Sequence, residues 1–112
     1  MPNFNSQFTP ETMRTLAGAA LTNVYQAIGT PIAFASRTLV FANTTGVLVY
    51  ISWNGVNDHL PLLPGGAIVL DETSNAVSNG LLETNAKTQF YARQPANTAG
   101  ADNVYLSTFY AS

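Results

Sequence analysis

The stretch from Val47 to Leu70 most constrains what this chain can fold into. Val47, Val49, Ile51 and Trp53 recur at every second position, so on an extended backbone they share one face, with Leu48, Tyr50 and Ser52 on the other. Asn54-Gly55 follows at once, and that pair readily takes the positive φ angles of a type I′ turn joining two antiparallel strands. Pro61 and Pro64 cannot donate to a ladder, Gly65-Gly66 offers a second sharp turn, and Ala67 to Leu70 reads as another strand. Asn54, Gly55, Gly65 and Gly66 are therefore the expected structural turns, and two strands joined by a proline-bounded loop are the core of a sandwich or barrel.

The remaining chain supports that reading. Val24 to Ile28, Thr38 to Ala42, Thr88 to Arg93 and Val104 to Tyr110 alternate apolar and polar residues between clusters of Asn, Thr, Gly and Pro, as strands do. Ile32 to Ser36 is ambiguous, Ser74 to Val77 suits one helical turn, and Leu81-Leu82-Glu83 suits a short edge strand. The last strand puts Val104, Leu106, Thr108 and Tyr110 on one face and Tyr105, Ser107 and Phe109 on the other, so both faces are at least partly covered. Asn43-Thr44-Thr45 has the pattern of a glycosylation acceptor but reads more economically as a turn. The fold expected is all-β, an antiparallel sandwich of jelly-roll or Ig-like kind.

The first 21 residues break the period. Thr9 suits a helix N-cap, Pro10 the first helical position, and Met13, Leu16, Ala17, Ala20 and Leu21 are spaced as one helical face. The spacing predicts a short amphipathic helix over about residues 10 to 19, after an arm carrying Phe4 and Phe8. The expected division is 1 to 21 for arm and helix and 22 to 112 for the sandwich. Two roles stand open for the segment, a cap on one end of the sandwich or an arm that docks on a neighbour, with Phe4, Phe8, Met13 and Leu16 as docking residues. As an arm it would be dispensable for the stability of the domain.

Composition narrows function. Among 112 residues there is no cysteine, which removes disulfides and thiolate chemistry and fits folding in a reducing cytoplasm. Charged residues are only 9% of the chain, against about 25% in ordinary soluble domains, and charge is depleted where subunits meet. A surface covered by neighbouring copies, a homo-oligomer, is the expectation. With only four Lys and Arg and a net charge of −2, a direct nucleic-acid partner is not expected. Nor is a membrane span or a secretion signal, since no run approaches the roughly 18 apolar residues of a spanning helix.

No reaction centre is legible. Asp58-His59 is the one acid-histidine pair, with no nucleophile in a recognisable context, and neighbours on an extended chain point apart. A single histidine without cysteine supplies no ordinary zinc ligand set, and Asp71-Glu72 lacks the spacing of a calcium loop. The expectation is no enzyme, no metal and no cofactor. Trp53 with Tyr50 nearby could stack on a sugar ring, which keeps a carbohydrate-binding module as the alternative, although Trp53 continues the apolar stripe and reads first as core or rim.

Thr22-Asn23-Val24-Tyr25-Gln26, Ser52-Trp53-Asn54-Gly55-Val56-Asn57-Asp58-His59, Leu63-Pro64-Gly65-Gly66 and Val104-Tyr105-Leu106 together resemble a pattern of small tailed-bacteriophage virion proteins. That pattern is a Tyr-Gln opening strand, a Ser-x-Asp/Asn-Gly-x-Asn-Asp-His hairpin, a Leu-Pro-x-Gly turn and a Val-Tyr-Leu last strand. The resemblance runs from about residue 22 to the end. It implies a structural subunit assembled in the host cytoplasm into the virion, at the head-tail neck or tail or decorating the capsid, with other virion proteins as partners and no catalytic residues.

Overall fold

The computed structural model describes residues 8–71, 84–96 and 101–111, without the side chains of Phe8 and Ala111. Among these, the regular elements are β1 (Phe8–Pro10), β2 (Arg14–Ala17), a 3-10 turn (Gly18–Ala20), β3 (Gln26–Ala27), β4 (Thr38–Asn43), β5 (Val49–Ser52), β6 (Leu60–Leu62), β7 (Ala67–Asp71), β8 (Tyr91–Arg93) and β9 (Asn103–Ala111). All pairings are antiparallel. A first sheet runs β1/β2–β9–β4–β7 and a second β3–β8–β5–β6, so the described residues form an all-β fold. No helix among the described residues is long and apolar enough to cross a membrane.

The alternation of the sequence becomes the core. Leu39 and Phe41 of β4 and Val104 and Leu106 of β9 meet Val49 and Ile51 of β5, Leu62 of β6, and Phe90 and Ala92 in one cluster shared by the two sheets. Phe41 is fully buried, its ring 5.5 Å from Phe90 and 5.9 Å from Trp53. Burying one such side chain contributes about 2–3 kcal/mol. Asn43 pins the corner where β4 leaves the first sheet. Its amide nitrogen donates to the carbonyls of Val47 (2.8 Å) and Leu62 (2.9 Å), and its Oδ1 accepts from the Thr45 amide at 2.9 Å. That occupation, at 1% exposure, makes Asn43-Thr44-Thr45 a turn.

The N-terminal segment corrects the sequence reading: the expected helix over residues 10 to 19 is absent. Phe8, Thr9 and Pro10 pair with Ala111, Tyr110 and Phe109, and Arg14 to Ala17 pair with Leu106 to Asn103. Glu11, Thr12 and Met13 thus lie opposite only Ser107 and Thr108, a β-bulge that inserts one extra residue into a single broken edge strand. A helix of ten residues is marginal alone, whereas β9 offers a nine-residue ladder to pair with. Gly18, which would weaken a helix, is needed for another reason. Its amide donates to the Asp102 carbonyl at 2.6 Å, and a Cβ there would lie 2.6 Å from the Ala101 oxygen.

The bulge holds a buried ion pair. Arg14 Nη2 lies 2.8 Å from Glu11 Oε1, with the two side chains 9% and 8% exposed. Arg14 Nε also donates to the Thr30 carbonyl (2.7 Å) and Nη2 to that of Pro31 (3.0 Å). Glu11 accepts the amides of Ala33 (3.1 Å) and Phe34 (3.2 Å). Burial opposes the charge on Glu11, but the Arg14 hydrogen bond, the two amides and the charge of Arg14 outweigh it and hold the carboxyl below its ordinary value. The ambiguous Ile32 to Ser36 stretch is an irregular strip, anchored by the Ile32 and Thr88 backbones and a bridge from Ser36 to Thr84. Ser74 to Val77 and Leu81 to Glu83 lie outside the described residues.

Candidate functional site

The second sheet carries its polar chemistry outward. Val49 and Ile51 point into the core, so Tyr50 and Ser52 point away from it, as Tyr91 and Arg93 do beside buried Phe90 and Ala92. The register sets Tyr50 opposite Arg93 and Ser52 opposite Tyr91. Arg93 grips Asp58 with two hydrogen bonds, Nε to Oδ1 at 2.8 Å and Nη2 to Oδ2 at 2.5 Å. Its guanidinium carbon lies 5.6 Å from the centre of the Tyr25 ring and 5.2 Å from that of Tyr50, within cation–π range of both. The Tyr25 hydroxyl donates to Asp58 Oδ1. Arg93 is the main reason the Asp58 carboxyl titrates below its ordinary value, against the opposing pull of burial. Burial, followed by the hydrogen bond to Asp58, pushes the Tyr25 hydroxyl up. The result is an aromatic and charged surface tying the approach to β3, the β5–β6 loop and β8 together.

The loop that delivers Asp58 is built by the residues before it. Ser52 Oγ accepts the amides of Asn54 (3.2 Å) and Gly55 (2.9 Å), and Asn54 Oδ1 accepts those of Val56 (2.8 Å) and Asn57 (3.0 Å). Gly55 has φ +73°, and a Cβ there would lie 3.2 Å from the Tyr91 ring. Asn54 is not among the residues with positive φ, so the expected type I′ turn is corrected to a seven-residue loop, 53 to 59, organised by Asn54 as an Asx cap. His59 Nδ1 accepts the Trp53 amide at 3.0 Å, and its ring meets the indole edge-on at 5.7 Å. Asp58 and His59 thus engage different partners. Trp53 is half-buried against Phe41 and Phe90, so Tyr25 and Tyr50 are the aromatic surface this region offers. Gly65 (φ +72°) follows Pro64, and the Gly66 amide donates to the Leu63 carbonyl at 2.8 Å, a type II turn.

The outer face of the first sheet has a different character. Tyr105, Ser107 and Phe109 of β9 lie beside Val40 and Ala42 of β4, and Val69 of β7 lies beyond. Among the described strand residues of this face, Asp71 at the rim is the one charged side chain. The expected docking residues are not gathered there. Leu16 faces inward, at 9% exposure, into the chain's own core, which corrects its reading as a docking residue. Met13 is 51% exposed at the bulge, beside a cavity of about 440 Å³ that Arg14, Gly29 and Thr30 also line. Phe8 joins β1 through its backbone, and Phe4 lies outside the described residues. Sequence reasoning missed Arg14 and Arg93: Glu11 is three residues from Arg14, but nothing in the local pattern names Thr30, Pro31 or, for Arg93, Asp58.

Among the described residues no group of three or more His, Asp or Glu side chains is placed to hold a metal ion. No family model, curated protein or solved structure matches the chain.

Proposed function

We propose that the chain is a structural subunit that assembles in several copies, a β-sandwich of jelly-roll or Ig-like kind in the virion of a tailed bacteriophage, at the neck or tail or on the capsid surface. The observation that carries the assembling part is the outer face of the first sheet, where Tyr105, Phe109, Val40 and Val69 lie on a face whose one charged side chain, among the described strand residues, is Asp71 at the rim. Charge is what keeps an exposed sheet face monomeric and soluble, and its depletion is the mark of contact regions. The phage setting rests on the resemblance of the hairpin, turn and last-strand motifs. Sedimentation equilibrium from micromolar to millimolar tests the assembling part: the average mass should rise above the 11.9 kDa of one chain, and a mass fixed at that value contradicts it. Localising the labelled chain in a purified particle tests the setting.

A second reading, a carbohydrate-binding module, is favoured by Tyr50 and Arg93 on the second sheet and Tyr25 just before β3, because half-buried rings beside hydrogen-bonding groups suit stacking on sugars. A monomer retained on immobilised polysaccharide, and released by Tyr50→Ala, would support it over assembly.

A further inference from the structure

We propose that β7, with the apolar cleft beside it, is a two-fold interface between two copies of this chain, the β7 strands pairing antiparallel about Val69. This deepens the assembling reading and rests on it. β7 ends the first sheet, and its ladder to β4 runs unbroken from Thr38 opposite Asp71 to Ala42 opposite Ala67. The Asn43 amide donates to the Gly66 carbonyl, and hydrogen-bonded pairs alternate along an antiparallel ladder. The backbone groups of Ile68 and Leu70 therefore face β4, and those of Ala67 and Val69 point away from it.

Such an edge invites another strand, and natural edges are blunted by bulges, prolines or lysines. Ala67-Ile68-Val69-Leu70 has none of these. Apolar side chains lie along it: Val69 of β7 is 61% exposed and Leu63, in the turn before it, 64%. A cleft of about 230 Å³ lined by Pro61, Leu62, Leu63, Gly66, Ala67 and Ile68 opens alongside. The partner this chemistry fits is an extended, uncharged strand.

The other described edges show which strand of a second copy qualifies. The β1/β2 edge is interrupted by its bulge and carries Pro10, β3 has two residues, and β6 has three with Pro61 in the middle. Among the described strands only β7 is long and regular enough, so the strand we assign to the second copy is its own β7, which makes the contact isologous. Pairing about Val69 sets each Asp71 opposite the partner copy's Ala67, so the two acids stand at opposite ends and do not repel. The two first sheets then run on as one, and their outer faces become continuous, with Asp71 of each copy at opposite ends of the seam.

Sedimentation equilibrium of the full chain, alone and as Val69→Lys and Val69→Thr, tests this. The wild-type mass should rise towards at least twice that of one chain with concentration. Val69→Lys should weaken association about tenfold or more while keeping the far-ultraviolet spectrum and, in dilute solution where the wild type is monomeric, the melting temperature, since an edge lysine resists strand addition. Val69→Thr, which keeps shape and β-branching, should associate nearly as wild type. A wild type monomeric throughout contradicts the assembling reading itself. An oligomer whose mass is insensitive to Val69→Lys contradicts only the β7 interface. A lower melting temperature in Val69→Lys with unchanged mass would mean that Val69 serves the chain's own fold and would also overturn it.

Discussion

The two edges of the first sheet are treated in opposite ways. At the β1/β2 edge the ladder is broken by a bulge, Pro10 removes a donor, and Arg14 with Glu11 turns inward to bind the backbone of residues 30 to 34. At the β7 edge the ladder is regular and the side chains are apolar. The first edge is closed by interactions within the chain, and the second is left with the features of a surface that receives a strand. An edge position therefore does not define a surface's role; what its side chains have already been committed to does.

The largest effect should come from removing the closed edge. Deleting residues 2 to 20 takes away β1, β2 and Leu16 and uncovers one side of β9, so the truncated chain should lose its cooperative melt. A soluble fragment melting as the full chain does would restore the reading of this segment as a separate arm.

Arg14→Ala comes next. It strips a carboxylate at 8% exposure of its cation and frees the carbonyls of Thr30 and Pro31, and breaking a buried pair from one side costs about 3–5 kcal/mol. Urea denaturation measures it; a loss below about 1 kcal/mol would rank the pair with exposed ones. The same pair sets a pH dependence. The folded Glu11 carboxyl titrates below its ordinary value of 4.5, so the unfolded chain binds the proton first as pH falls. The stabilisation is complete above that value and is lost as pH drops through the lower folded pKa. Glu11→Gln should flatten the acid limb of stability against pH; an unchanged limb would assign it to other carboxylates such as Asp58.

Smaller effects belong to the second sheet. Gly55→Val forces a β-branched residue to φ +73° against the Tyr91 ring and should cost about 2–3 kcal/mol. Asn57→Ala keeps the amide that Asn54 Oδ1 accepts and should stay within about 0.5 kcal/mol. Equal melting temperatures for these two variants would contradict the loop's account. Asp58→Asn should cost less still than the glycine change, below about 1 kcal/mol, because Asp58 and Arg93 are 31% and 25% exposed and solvent screens them. A loss as large as that of Arg14→Ala would mean the tyrosines seal the pair from water.

The legible parts of the molecule are those where one period is enough. Leu39 and Phe41, Val49 and Ile51, Phe90 and Ala92, and Val104 and Leu106 alternate in the sequence and are buried in the structure. The N-terminal segment was open to misreading because Met13, Leu16, Ala17 and Ala20 fit a helical face, while the strand face actually buried is Arg14 and Leu16. An arginine reads as a surface residue until its partners are known; Glu11 is near in sequence, but the others that bury Arg14 come from Thr30, Pro31 and Thr108. Arg93 and Asp58 meet only because Tyr50 sits opposite Arg93 and the loop after β5 curls back. The turn at Pro64-Gly65 was legible for the opposite reason, its geometry being local.

Backbone amide exchange, followed residue by residue in dilute and in concentrated solution, tests the difference between the edges most directly. The amides of Ala67 and Val69 should exchange freely in dilute solution and gain protection as concentration rises, while those of residues 9 to 17 stay as they were. Protection at Val69 that is already full in dilute solution, or that appears along β1 and β2 instead, would contradict it.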